Sequence, residues 1–117
     1  MFKCIALLKK RTDLSREAFI EYYETQHAVL IRSLFPQIQT YRRNYLELEG
    51  LFQFDGSAAI DFDVITEIIF ADRTAYEEFL SLNADPLIAQ RIAQDELNLF
   101  DRSATRMFSV EVSGDSR

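Results

Sequence analysis

Two short segments of this chain, residues 2–9 and 62–70, carry apolar side chains at odd and even positions alike. In the second, Phe62, Val64, Ile68 and Phe70 share one side with Thr66, while Ile65 and Ile69 share the other with Asp63 and Glu67. A strand sends alternate side chains to opposite faces of its sheet, so these segments belong in a sheet that is covered on both faces. The whole chain has 117 residues, one domain's length. Its helical segments suffice to cover one face. A contiguous apolar patch of several hundred Å² is rarely left in water, so a second copy of the chain is expected on the other face.

The remaining segments fit that frame. After the break at Arg11-Thr12-Asp13, Ser15 is placed to cap a helix and Glu17 to meet its dipole in the first turn. Ala18, Phe19, Tyr22, Gln26, Val29 and Leu30 then recur at helical spacing to about residue 33, predicting one continuous amphipathic helix. Ile20, Tyr23 and His27 form a neighbouring row at its edge. Pro36 ends the helix, and residues 38–48 read as a second strand. Residues 49–60, with Gly50 and Gly56, read as a loop whose Leu51, Phe52 and Phe54 are expected to fold back as cover.

Asp72 caps a second helix with Ala75, Tyr76, Phe79 and Leu80 inward, and Pro86 starts a further helical piece. There Ile88, Ile92, Asp95 or Glu96, and Leu99 keep the helical period. Residues 105–112 read as the last strand and 113–117 as a flexible tail, leaving residues 1–112 as the single domain. The order strand, helix, strand, strand, helix, strand predicts an α+β, ferredoxin-like split βαβ fold with a four-stranded antiparallel sheet.

Composition removes several function classes. The net charge of −6, with no lysine after Lys10, argues against nucleic acid or an anionic membrane as partner. The apolar opening run is too short for a membrane span and lacks a cationic leader and cleavage site, so a cytoplasmic protein is expected. One Cys and one His cannot form an intramolecular disulfide or a closed zinc site, and no metal is expected. Three glycines supply no phosphate loop, and no nucleophile elbow is present.

His27 is the one side chain whose ordinary titration lies near neutrality, which makes it the first candidate for general acid or base work. The plainer alternative is a helix-end histidine satisfying backbone carbonyls. Tyr23 beside it either positions a substrate oxygen or is simply core. Glu67, mid-strand among isoleucines, either carries a proton or forms a structural ion pair with Lys9, Arg42 or Arg43.

The segment from Cys4 through Phe19, continuing Tyr22-Tyr23-Glu24-Thr25-Gln26-His27-Ala28-Val29-Leu30, closely resembles the opening of EthD-domain proteins. Asp63 to Phe70 and Glu96-Leu97-Asn98-Leu99-Phe100-Asp101-Arg102-Ser103 are similar to later blocks of the same family. Ile68-Ile69 departs from it, standing where many members place Trp.

The resemblance implies a dimeric α+β barrel, two subunits joined sheet to sheet, with a small-molecule pocket between each sheet and its own helices. It maps His27 and Glu67 to family positions and implies that both line one cleft. The expected activity is a cofactor-free lyase or isomerase, of cyclase, dehydratase or decarboxylase type, on a small enolisable aromatic or polyketide-like substrate. In it His27 and Glu67 are catalytic, and Tyr23 and Tyr41 bind substrate oxygens. A non-catalytic ligand-binding accessory protein and a monooxygenase of the same superfamily are the alternatives. The expected partners are a second copy of the chain and a small molecule.

Overall fold

Strand β1, Phe2–Leu8, and strand β3, Val64–Phe70, lie side by side at the centre of the sheet, where both their faces can be covered. The structure, a computed structural model, describes residues 1–114. Strands β2, Ile38–Tyr45, and β4, Arg106–Val110, form the edges, giving the order β2-β3-β1-β4 with every neighbouring pair antiparallel. β1 and β2 therefore run in the same direction with β3 between them, the split βαβ arrangement. Glu67 on β3 is opposite Ile5 on one side and Arg42 on the other.

Parity then assigns the faces. Cys4, Ala6 and Leu8 on β1 and Val64, Thr66, Ile68 and Phe70 on β3 are buried under the helices. Lys3, Ile5, Leu7, Ile65, Glu67 and Ile69 lie on the other face and are only half-buried. β2 and β3 are shorter than the sequence implies, because residues 47–62 form an irregular connection beyond the Leu46–Asp63 backbone hydrogen bond of 2.9 Å. Gly50 and Gly56 turn that connection at φ +77° and +80°, where a β-carbon is disfavoured. Phe52 and Phe54 are 77% and 76% exposed and pack on one another, ring centroids 5.1 Å apart. The expectation that they fold back over the sheet is thus corrected. The backbone bonds of this loop, Leu51 N–H to Leu48 and Ser57 N–H to Phe54, are local and do not draw it inward.

The first helical stretch is divided. Ser15 Oγ accepts from Ala18 N–H and starts α1, Arg16–Tyr22. A single π-helical turn, Tyr23–His27, follows, in which Ala28 N–H reaches back five residues to the Tyr23 carbonyl, and α2, Ala28–Leu34, completes the stretch. Its buried face is Phe19, Tyr23, His27, Ala28 and Ile31, whereas Gln26 and Val29 are exposed. This corrects the continuous helix and the stripe read from the sequence. The physical reason lies in the spacing. Phe19, Tyr23, His27 and Ile31 are four residues apart, and such a row drifts by about 40° per step on an α-helix. The wider π turn absorbs most of the drift of about 120° and keeps the row over the sheet.

Helix α3, Arg73–Asn83, is capped by Asp72, and α4, Pro86–Glu96, by Asp85 with proline in the first turn. Phe79 and Ile92 are their buried anchors, but Leu80, expected inside, is exposed. A short 3₁₀ turn, Arg102–Ala104, leads into β4. Ser113 and Gly114 of the expected tail are exposed, and residues 115–117 lie outside the described residues. Among the described residues no helix is long and apolar enough to cross a membrane.

Candidate active site

Between the helix-covered face of the sheet and the helices lies a cavity of about 300 Å³. Ala6, Leu8 and Ile68 form apolar floor, Phe35, Phe79 and Ile92 apolar wall, and His27, Tyr23, Tyr41, Thr66 and Glu96 supply polar groups. The π turn delivers Tyr23 and His27 to this cavity from its two ends.

The His27 side chain is 4% exposed, and its Nδ1 lies 2.7 Å from Oδ2 of Asp95 on α4. A carboxylate accepts, so Nδ1–H donates, and Nε2 is the nitrogen left for a ligand. Nε2 has no hydrogen bond to the protein among the described residues. Asp95 is itself fixed through Oδ1, which accepts from Tyr22 Oη at 2.7 Å. Phe100 and Tyr23 place their rings 5.3 and 5.2 Å from the imidazole, edge to face. The side chain is therefore held in one orientation and one tautomer.

Tyr23 is fully buried, and its hydroxyl lies 2.8 Å from Thr66 Oγ1 and 3.1 Å from Tyr41 Oη. Burial pushes the Tyr23 phenol up to about 12 and the Tyr41 phenol well above its ordinary value. Both remain protonated at neutral pH. Each hydroxyl has one proton, so a chain running from Thr66 through Tyr23 leaves the Tyr41 proton for an acceptor in the cavity.

Glu96 ends α4 and lines the same cavity. Burial raises its carboxyl above the usual range, against the opposing pull of His27 and Arg102. Arg102 Nε is 3.2 Å from its Oε1.

Glu67 is elsewhere. It lies on the opposite face of the sheet, because its odd position alternates with Thr66 and Ile68, which point into the cavity. Its Oε1 is 2.6 Å from Lys3 Nζ, its Oε2 accepts from Asn44 Nδ2 at 2.9 Å, and Arg42 is 3.8 Å away. Lys3 and Asn44 hold its carboxyl below the usual range. The implied cleft shared by His27 and Glu67 is therefore corrected. Of the ion-pair partners weighed for Glu67, Arg42 is found and Lys3 is added, while Arg43 pairs with Glu24 and Lys9 with Asp101.

Asp95, Glu96, Thr66 and Arg102 were not singled out from the sequence as functional. The available signal was an acidic pair set between Ile92 and Leu99 on the apolar row of α4, where burial makes a carboxyl costly unless it is partnered. Among the described residues no three His, Cys, Asp or Glu side chains gather as a metal site.

A family model described as the EthD domain matches residues 11–103. The conidial pigment biosynthesis dehydratase EthD of Metarhizium robertsii is 26% identical over 106 residues, covering 84% of this chain and 72% of that protein. An ethyl tert-butyl ether D (EthD) family protein from Bacillus halodurans aligns with a TM-score of 0.62 at 18% identity, over 97% of this chain and 100% of that one. A dimeric ferredoxin-like protein of unknown function from Thermobifida fusca aligns with a TM-score of 0.56 at 12% identity, over 95% and 90% of the two chains. The fold is ferredoxin-like.

Proposed function

The chain belongs to the EthD domain family, and from that premise we propose that it is a cofactor-free lyase or isomerase acting on a small enolisable aromatic or polyketide-like carbonyl compound. The observation that carries this reading is the buried His27 ring, tied at Nδ1 to Asp95 and set with Tyr23 and Tyr41 around an apolar cavity. In this reading His27 Nε2 takes a proton from the carbon beside the substrate carbonyl. Asp95 stabilises the imidazolium that forms. The phenol of Tyr41, backed by Tyr23 and Thr66, donates to the carbonyl oxygen as negative charge develops there, an interaction strengthened by the low dielectric. The cavity volume suits a body of one or two fused rings.

The dehydratase name of the Metarhizium robertsii relative supports loss of water as the specific outcome. A ligand-binding accessory protein is favoured less, because it would need no buried histidine oriented by a carboxylate. We further infer a homodimer joined through the open sheet face. Its compartment is the cytoplasm, where the lone buried thiol of Cys4 stays reduced.

The test uses α-tetralone in deuterated water. The wild-type protein exchanges the protons beside the carbonyl, followed by NMR, and His27→Ala lowers that rate by about 10²–10⁴-fold. Equal exchange by the two proteins would overturn the assignment.

A further inference from the structure

Asp95 and Glu96 are consecutive carboxyls on the last turn of α4, yet they have separate tasks to perform. Asp95 is turned to the His27 ring. Glu96 lines the cavity, with Oε1 held by Arg102 Nε at 3.2 Å and no hydrogen bond to Oε2 among the described residues. A purely structural ion pair would account for the Arg102 contact. It does not account for a carboxyl that lines the same cavity as His27 and feels its ring. The groups acting on this carboxyl are His27 from the π turn, Arg102 from the 3₁₀ turn and Asp95 from its own helix. The Tyr23 and Tyr41 phenols, which feel its charge, are neutral. Burial outweighs the opposing pull of His27 and Arg102 and keeps the proton on more readily than at a surface glutamate.

We propose that Glu96 is a second catalytic residue, the acid that protonates the oxygen leaving the carbon β to the substrate carbonyl, and that Arg102 positions it. This rests on the reading of His27 given above and narrows the substrate to a β-hydroxy carbonyl compound with a ring body. The step balances. His27 Nε2 takes the α proton as that C–H bond breaks, and its electron pair becomes the new C=C bond. The β C–O bond breaks with its electrons on oxygen, and the departing hydroxyl takes the Glu96 proton and leaves as water. The imidazolium then returns its proton to the Glu96 carboxylate across the shared cavity, and both groups are reset with no proton consumed.

The probe is β-hydroxy-α-tetralone, which loses water to give fluorescent α-naphthol. In deuterated water one sample reports two rates: exchange at the α carbon, by NMR, and release of α-naphthol. Glu96→Gln is expected to lose about 10²–10⁴-fold in dehydration and far less in exchange, so that the ratio of the two rates falls at least about tenfold. Arg102→Gln removes a cation from the carboxyl and moves the alkaline limb of the dehydration profile to higher pH. A structural role alone would leave that limb in place.

Infrared difference spectra provide a readout independent of turnover. A carboxylic-acid carbonyl band, absent from Glu96→Gln, should persist to higher pH than surface carboxyls retain their protons. Exchange intact with dehydration within twofold of wild type in Glu96→Gln, or no such band, overturns the role of Glu96 alone. Wild-type protein that exchanges nothing overturns the His27 reading first.

Discussion

His27 and Asp95 form a buried charge-assisted hydrogen bond, an interaction worth about 1.5–3 kcal/mol when both partners are present. Its chemical value is the tautomer it selects. Asp95→Asn keeps the shape of the side chain but removes the charge that holds the Nδ1 proton and steadies an imidazolium. We expect about 10²-fold slower exchange of α-tetralone, together with a changed ¹⁵N tautomer pattern at His27. Unchanged exchange would return His27 to the status of a packed core residue. Glu67 behaves oppositely, since nothing on its face of the sheet touches the cavity. Glu67→Gln should leave exchange within about twofold of wild type. Its effect should appear in stability, and the sign follows from the direction of its shift. Lys3 and Asn44 hold the folded carboxyl below its ordinary value, so the contribution is complete above the unfolded pKa and is lost as pH falls through the folded one. Urea denaturation of wild type and Glu67→Gln should differ at neutral pH and converge on acidification. A gap that widens in acid would contradict the ion pair.

The π turn is the element on which the site depends. It aligns Phe19, Tyr23, His27 and Ile31 in one row above the sheet and presents Glu24 outward. There Arg43 of β2 grips Glu24 through Nε and Nη2 at 2.9 and 2.7 Å, and Tyr45 adds a further hydrogen bond. The turn is thus fastened to the edge strand from outside while its inner side chains enter the cavity. A π turn amounts to one residue inserted into an α-helix. Deleting the exposed Thr25 should restore a regular helix, keep the far-ultraviolet circular dichroism, and lower α-tetralone exchange by about 10²-fold as His27 loses its alignment. Retention of wild-type exchange would mean that the turn is not needed for the chemistry. The same element marks the limit of what the sequence reveals. Helical spacing, Ser15, Asp72 and Pro86 located both helical segments and their starts, because caps and periodicity are local signals. The inward face was misassigned because several i, i+4 rows compete along residues 18–31, and only tertiary packing selects the row that the π turn straightens. His27 and Tyr23 were legible as candidates; their partners Asp95, Thr66 and Glu96 are distant in the chain and met them only through the fold.

At the scale of the whole molecule, the two apolar strand segments that predict a doubly covered sheet leave one question of association. The helices cover one face. The other shows Ile5, Leu7, Ile65 and Ile69 half-buried and Phe108 46% exposed, around a polar island of Lys3, Glu67, Arg42 and Asn44. The island is internally paired, so a second copy can close over it without stranding Glu67 as an unpaired charge. Packed against its own counterpart, this face would exclude water from the isoleucines of both chains. A specific interface needs on the order of 1,200 Å² in total, and its centre tolerates an unpaired charge poorly. Ile65→Asp adds such a charge beside Glu67 without touching the cavity. We expect wild type to sediment as a dimer at micromolar concentration and Ile65→Asp to dissociate with a Kd at least about 10²-fold weaker, equivalent to about 2.7 kcal/mol. Glu67→Gln should weaken association to a smaller extent, because it leaves Lys3 and Arg42 without their carboxylate at the closed face. A monomeric wild type, or a dimer indifferent to Ile65→Asp, would show that the sheet face is not the interface. Either result would leave unexplained why β1 and β3 are apolar on the side that their own helices never reach.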